Sequence, residues 1–126
     1  IADGFSKKGL LTAVAFGGGL KEELERLKYF GVNRVLYMEE DVFLQYHGEL
    51  FAEAFMMMVC KYGPDCILMA TDPETEDLAP RVAAMMATAL MTRVVDFRIL
   101  DERKAMAIRP TANDFLFDID VGHRLP

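Results

Sequence analysis

The sequence predicts an α/β protein with a mostly parallel sheet flanked by helices in three layers and an antiparallel hairpin near its C-terminal end. β-prone apolar runs alternate three times with segments of helical apolar spacing, as they do in parallel α/β sheets. The 126 residues suit one domain, so we expect a single α/β domain over residues 1–126. Hydrophobic residues make up 52% of the chain, which is enough for a core.

The first half predicts a strand, a helix and a second strand. The run at residues 10–16 is apolar and β-prone, and Gly17-Gly18-Gly19 interrupts it. Residues 20–30 carry apolar side chains at helical spacing, and Gly31 then ends the helix. Residues 32–38 form the second predicted strand.

The second half repeats the alternation. A helix is expected over residues 49–62, and the almost wholly apolar run at 65–70 predicts a strand at the buried centre of a parallel sheet. A helix from about residue 77 to 88 follows, because Pro80 is tolerated only near a first turn. Residues 94–100 and 105–108 predict a hairpin, and 115–121 an edge strand.

Composition argues against several classes of partner. A net charge of −6 makes nucleic acid a poor partner, and the longest apolar run, at 54–60, is too short to cross a membrane. No basic segment of a signal peptide opens the chain.

Cys60 and Cys66 fall in apolar runs without metal spacing, so we expect reduced, buried thiols in a cytoplasmic protein. The start at Ile1 predicts a fragment of a longer protein.

Gly17-Gly18-Gly19 is the first candidate site, because phosphates often bind backbone N–H groups between a strand and a helix. The spacing is not that of a dinucleotide-binding loop, and Glu22 and Glu23 would repel an anion. We therefore favour a tight turn here. For catalysis, His47 and His123 have no nucleophile beside them in sequence, so a hydrolase is not supported.

The start of the helix near Asp77 is the second candidate site. Glu74, Glu76 and Asp77 place carboxylates where they would repel a phosphate but accept hydrogen bonds from a ribose or a partner protein. Arg81 lies four residues after Asp77, and we favour an ion pair between them over a phosphate or partner contact. Residues 56–58 are three consecutive methionines, so at least one should face a partner or a second domain.

The stretch YGPDCILMATDPETEDLAPR resembles the most recognisable segment of electron-transfer flavoprotein alpha subunits, whose pattern contains GRDLAPRLAA. Asp77-Leu78-Ala79-Pro80-Arg81 and Ala83-Ala84 match that pattern residue for residue, and Arg109-Pro110 matches the start of a later family segment. The family's Gly-Arg before this motif is Thr75-Glu76 here, and its Tyr-Gly-Gly-Asn is replaced by residues 111–114.

The resemblance implies an adenine nucleotide alpha hydrolase-like, nucleotide-binding type of fold and a non-catalytic role as a subunit-docking scaffold. Its partner would be a beta-type subunit or a second copy, and the FAD-binding second domain would be absent. FAD would then be held weakly or not at all, with cofactor contacts expected from Thr71, Asp77, Arg81 and Asn113. The alternative is a stand-alone domain that binds AMP or ATP at the ends of the strands.

Overall fold

The computed structural model describes residues 9–101 and 104–110, and it divides the chain into two compact units, residues 1–45 and 46–126. The first unit contains β1 (Thr12–Gly17), α1 (Lys21–Glu25), a 3-10 helix (Arg26–Phe30), β2 (Arg34–Glu39) and a 3-10 turn (Asp41–Phe43). The second contains α2 (Gly48–Tyr62), α3 (Pro73–Met86), β3 (Asp96–Asp101) and β4 (Lys104–Ile108).

In the first unit, β1 and β2 pair in parallel, with Thr12 opposite Arg34 and Gly17 opposite Glu39. A parallel pair needs a crossover connection, and α1 with its 3-10 extension supplies it. Gly31 ends that extension in the left-handed conformation at φ 83°, as predicted from its position. The Phe43 ring is buried 5.2 Å from the Phe16 ring, which fixes the turn after β2 against β1.

The core of the second unit lies between α2 and α3. Among the described residues, Phe51, Ala52 and Ala54 of α2 and Leu78 and Val82 of α3 are buried. Leu78 and Val82 are four residues apart and therefore lie on one face of α3. β3 and β4 form the antiparallel hairpin that the sequence predicts.

The predicted strand at 65–70 is wrong. These residues form neither helix nor strand, and none of the described strands pairs with them. An apolar run has β-propensity, but a strand also needs a neighbour to complete its ladder of hydrogen bonds. The α/β class, the parallel pair and the hairpin are confirmed, whereas the three-layer arrangement stays a prediction. The predicted edge strand at 115–121 lies outside the described residues.

The helix predicted from residue 77 exists, but its predicted start is wrong, because α3 begins at Pro73. Asp72 caps it: its Oδ1 accepts hydrogen bonds from the backbone N–H groups of Glu74 (3.0 Å) and Thr75 (2.9 Å). The hydroxyl of Thr75 accepts a hydrogen bond from the backbone N–H of Asp72 at 3.0 Å, which completes a capping box. Pro80 therefore lies inside the helix rather than in its first turn.

The expected burial of both cysteines is also wrong. Cys60, in the last turn of α2, and Cys66 are exposed free thiols. Both cysteines lie in apolar runs, but an apolar run does not show which of its side chains face the core. Met57 is the exposed member of residues 56–58, and its expected contact with a partner or a second domain stays a prediction.

Candidate functional site

The candidate site is a charged cluster where the start of α2 meets α3. Asp77 Oδ2 accepts a hydrogen bond from the Tyr46 hydroxyl at 2.8 Å and another from Arg81 Nε at 3.0 Å. The predicted pairing of Asp77 with Arg81 is thus confirmed, with both side chains a little under half exposed. Tyr46 also packs edge-on against Phe51, with ring centroids 5.0 Å apart.

Gly48, the first residue of α2, lets this cluster approach the helix closely. A Cβ atom at position 48 would lie 2.5 Å from Asp77 Oδ2 and 2.7 Å from Arg81 Nε. Any side chain there would therefore displace the ion pair. The Asp77 carboxylate consequently lies beside the N-terminal end of α2, where the partial positive charge of a helix favours an anion.

The pKa values of the three side chains follow from these contacts. Burial, reinforced by the hydrogen bond to the Asp77 carboxylate, raises the pKa of Tyr46 to about 12. The hydrogen bond from Arg81 and the one from Tyr46 hold the pKa of Asp77 below its usual value. The same carboxylate raises the pKa of Arg81. The cluster therefore stays a carboxylate, a guanidinium and a neutral phenol around neutral pH.

A cavity of about 610 Å³ opens beside this cluster. Its lining residues are His47, Gly48, Glu49, Leu50, Glu53 and Arg81. A second cavity, of about 220 Å³, adjoins it and shares three of those residues with the first. Its lining residues are Glu49, Ala52, Glu53, Arg81 and Met85. Two exposed carboxylates thus face one guanidinium that is already paired with Asp77.

The four predicted cofactor-binding residues have different outcomes. Asp77 and Arg81 are in direct contact, and Arg81 lines both cavities. Thr71 is exposed and immediately precedes the Asp72 cap of α3. Asn113 lies outside the described residues. Over the described ranges, no group of three histidine, cysteine or acidic side chains is placed to hold a metal ion.

Sequence reasoning missed Tyr46 and Gly48. Tyr46 lies 31 positions from Asp77, and no short motif links residues at that distance. Gly48 gave a usable signal, since a glycine at a helix start is typical of a close approach by another group.

The glycine loop is a tight turn, as predicted, with Gly17 and Gly19 at φ 145° and 71°. The Gly19 N–H donates to Glu39 Oε1 at 3.1 Å, and Lys21 Nζ lies 3.3 Å from Glu39 Oε2. These two contacts, the backbone N–H first, lower the pKa of Glu39. The Leu20 N–H donates to the Tyr37 hydroxyl at 3.2 Å. The Glu39 carboxylate therefore already occupies the position where an incoming anion would bind.

The described elements are those of an α/β protein with a charged cluster between α2 and α3. Comparison with known proteins identifies its family. A family model described as the electron transfer flavoprotein domain matches residues 2–117. The chain therefore belongs to the electron transfer flavoprotein domain family.

Two curated relatives are electron transfer flavoprotein alpha subunits. The chain is 25% identical over 89 residues to that of Syntrophomonas wolfei subsp. wolfei, covering 71% of this chain and 28% of the relative. It is 21% identical over 94 residues to that of Bacillus subtilis, covering 75% of this chain and 29% of the relative. The match thus spans less than a third of each relative. No helix in the described ranges is long and apolar enough to cross a membrane.

Proposed function

We propose that this chain is a scaffold and docking module of an alpha-type subunit in an electron-transfer flavoprotein, and that its partner is a beta-type subunit. The observation that supports docking is a pair of consecutive exposed aromatic residues at the end of the 3-10 helix. Tyr29 is 78% exposed and Phe30 is 68% exposed. Exposed aromatic side chains of this kind are typical anchors of protein interfaces. Self-association through the same residues is the second form of this proposal.

The redox chemistry would belong to FAD, and the protein would set the position and surroundings of the flavin. Thr71, Asp77, Arg81 and Asn113 are the residues proposed to contact it. The chain alone would hold FAD weakly or not at all, because Asp77 and Arg81 already neutralise each other and Glu49 and Glu53 add negative charge. No catalytic step is assigned to the chain, and a cytoplasmic location remains part of this proposal.

The nucleotide-binding type of fold, with AMP or ATP as ligand, has less support. Its expected phosphate loop is Gly17-Gly18-Gly19, whose Gly19 N–H already donates to Glu39. A phosphate would have to displace that carboxylate and overcome its charge.

The first test is to purify the chain with and without a beta-type subunit and to measure complex formation by size-exclusion chromatography. Denaturation of each sample followed by chromatography would identify any released FAD, AMP or ATP. We expect a complex with the beta-type subunit and little flavin in the chain alone. Recovery of AMP or ATP instead would move support to the nucleotide-binding alternative.

A double variant, Tyr29→Ser with Phe30→Ser, locates the interface. Because buried aromatic anchors contribute much of the binding energy, we expect the affinity for the beta-type subunit to fall at least about tenfold. Val95→Ser is the matched control, since Val95 is exposed but lies in the other unit. Equal loss in both variants, or no complex with the unaltered chain, would contradict the docking proposal.

A further inference from the structure

The two cavities beside the charged cluster adjoin each other between α2 and α3. They share Glu49 and Glu53 on the α2 side and Arg81 on the α3 side. His47 lines the first cavity and Met85 the second. We refer to the two cavities together below as the α2–α3 groove.

The part of the α2–α3 groove that the two cavities share is acidic. Glu49 and Glu53 are exposed and lie four residues apart, so their like charges face the same side of α2 and repel each other. Neither carboxylate forms an ion pair with another described residue. Arg81 offsets them only in part, because its charge is shared between the Asp77 carboxylate, which it contacts, and Glu49. One guanidinium therefore faces three carboxylates, and the groove carries an excess of negative charge.

The second cavity adds apolar surface to this acidic part. Buried Ala52 and half-exposed Met85 line it beside the two carboxylates. Met57 lines neither cavity, but it follows Glu53 by one helical turn and is exposed on the same face of α2. Methionine side chains are adaptable and are common on surfaces that accept another chain. Acidic and apolar surfaces therefore follow each other along α2 within about two turns.

We propose that the α2–α3 groove binds a polypeptide segment of a partner protein that presents a lysine or arginine and, one helical turn away, an apolar side chain. The cation would lie between Glu49 and Glu53, and the apolar side chain would pack on Met85 and Met57. A lysine or arginine suits this groove because its aliphatic stem packs on apolar surface while its charge reaches the carboxylates. A phosphate group does not fit between Glu49 and Glu53, since the two carboxylates would repel it. The proposal does not depend on the partner being a beta-type subunit.

The test uses a fluorescent synthetic helical peptide with lysine and leucine four residues apart in an alanine-rich sequence. Binding to the purified chain is measured by fluorescence anisotropy at low and high salt. We expect saturable binding that weakens with salt, because exposed charge pairs are screened. A peptide with glutamate in place of lysine should not bind. Absence of binding by the lysine peptide, or equal binding by both peptides, overturns the proposal.

Two variants locate the binding surface. Glu49→Gln with Glu53→Gln should weaken binding about tenfold, since each contributes a modest ion pair. Glu22→Gln with Glu23→Gln removes the same charge from exposed positions of α1 and should leave binding unchanged. Met57→Ser with Met85→Ser should also weaken binding, but without changing its salt dependence. Equal loss in the two glutamine variants would show general attraction to an acidic protein and would overturn the assignment to the groove.

Discussion

Asp77 is the residue at which the contacts of the candidate site converge. One of its oxygens accepts hydrogen bonds from both Tyr46 and Arg81, and Gly48 leaves room for the pair beside α2. The ion pair follows from the four-residue spacing on one helix and was predicted from it. The contact between Tyr46 and Asp77 was not predicted, because it depends on how α2 packs against α3.

The pKa of Tyr46 provides a direct test of this cluster. The hydrogen bond to Asp77 needs the phenolic proton, so the stabilisation is complete below the ordinary tyrosine pKa of 10.0 and is lost as pH rises through about 12. Asp77→Asn should lower the pKa of Tyr46 but not restore it fully, since burial is the larger cause. Ultraviolet difference absorbance measures the titration, with Tyr46→Phe to assign the signal. An unchanged titration in Asp77→Asn would refute the contact.

Gly48→Ala should disrupt the same cluster by adding a side chain at the start of α2. The new Cβ would overlap the space of Asp77 Oδ2 and Arg81 Nε, and the ion pair must move away. We therefore expect the pKa of Tyr46 to fall, as in Asp77→Asn, and the melting temperature to drop. Gly9→Ala is the control, because a Cβ at position 9 meets no other atom within 4 Å. Identical titrations for the two alanine variants would contradict the close approach at Gly48.

At the scale of the element, the sequence of α3 predicts the helix itself better than its first residue. The apolar positions Leu78 and Val82 correctly predicted a helix. Pro80 predicts a start near residue 77, but the helix begins at Pro73. Asp72-Pro73 is the signal of the true start, since Asp72 is a cap residue and a proline follows it at the first helical position. An interior proline is costly but tolerated when a cap and a packed face stabilise the rest of the helix.

The capping role of Asp72 predicts a loss of stability in Asp72→Ala. Two backbone N–H groups of α3 would lose their acceptor, so the melting temperature should fall by several degrees. These hydrogen bonds, the one from Thr75 first, lower the pKa of Asp72 below its usual 3.8. The contribution is therefore present at neutral pH and lost as pH falls below about that value.

Thermal melts followed by circular dichroism at neutral and acid pH check this prediction. The difference between Asp72→Ala and the unaltered chain should shrink in acid. Asp65→Ala, at an exposed position outside the helix, is the control. A difference that stays constant with pH would argue against a charged cap.

Pro80→Ala should stabilise the protein. Proline lacks the N–H that would bond the carbonyl of Glu76, and an interior proline costs a helix about 3 kcal/mol. Part of that gain is offset because alanine makes the unfolded chain more flexible. Urea denaturation of the two chains measures the free energy of unfolding. A lower value for Pro80→Ala would mean that the proline ring itself makes a stabilising contact.

At the scale of the whole molecule, the described core is small and each unit has its own part of it. Leu78 is 6% exposed, so Leu78→Ala should cost about 2–5 kcal/mol of unfolding free energy. Leu68 lies in the run wrongly predicted as a buried strand and is 49% exposed, so Leu68→Ala should cost less than about 1 kcal/mol. Chemical denaturation compares the two, and equal losses would restore the burial predicted for residues 65–70.

The sequence by itself determined the α/β class, the crossover between β1 and β2, the hairpin and the Asp77–Arg81 pair. Each of these depends on local periodicity, turn residues or a four-residue spacing. The family also followed from a local motif, Asp77-Leu78-Ala79-Pro80-Arg81, and the family model confirms it.

Only the tertiary structure decided the other features. It left residues 65–70 without a partner among the described strands, exposed both cysteines, and placed Tyr46 and Gly48 against Asp77. It also brought Glu49 and Glu53 into one groove with Arg81. The physical reason is that strand pairing, burial and contacts between helices depend on neighbours far away in the chain, and local spacing and propensity carry no information about which neighbours those are.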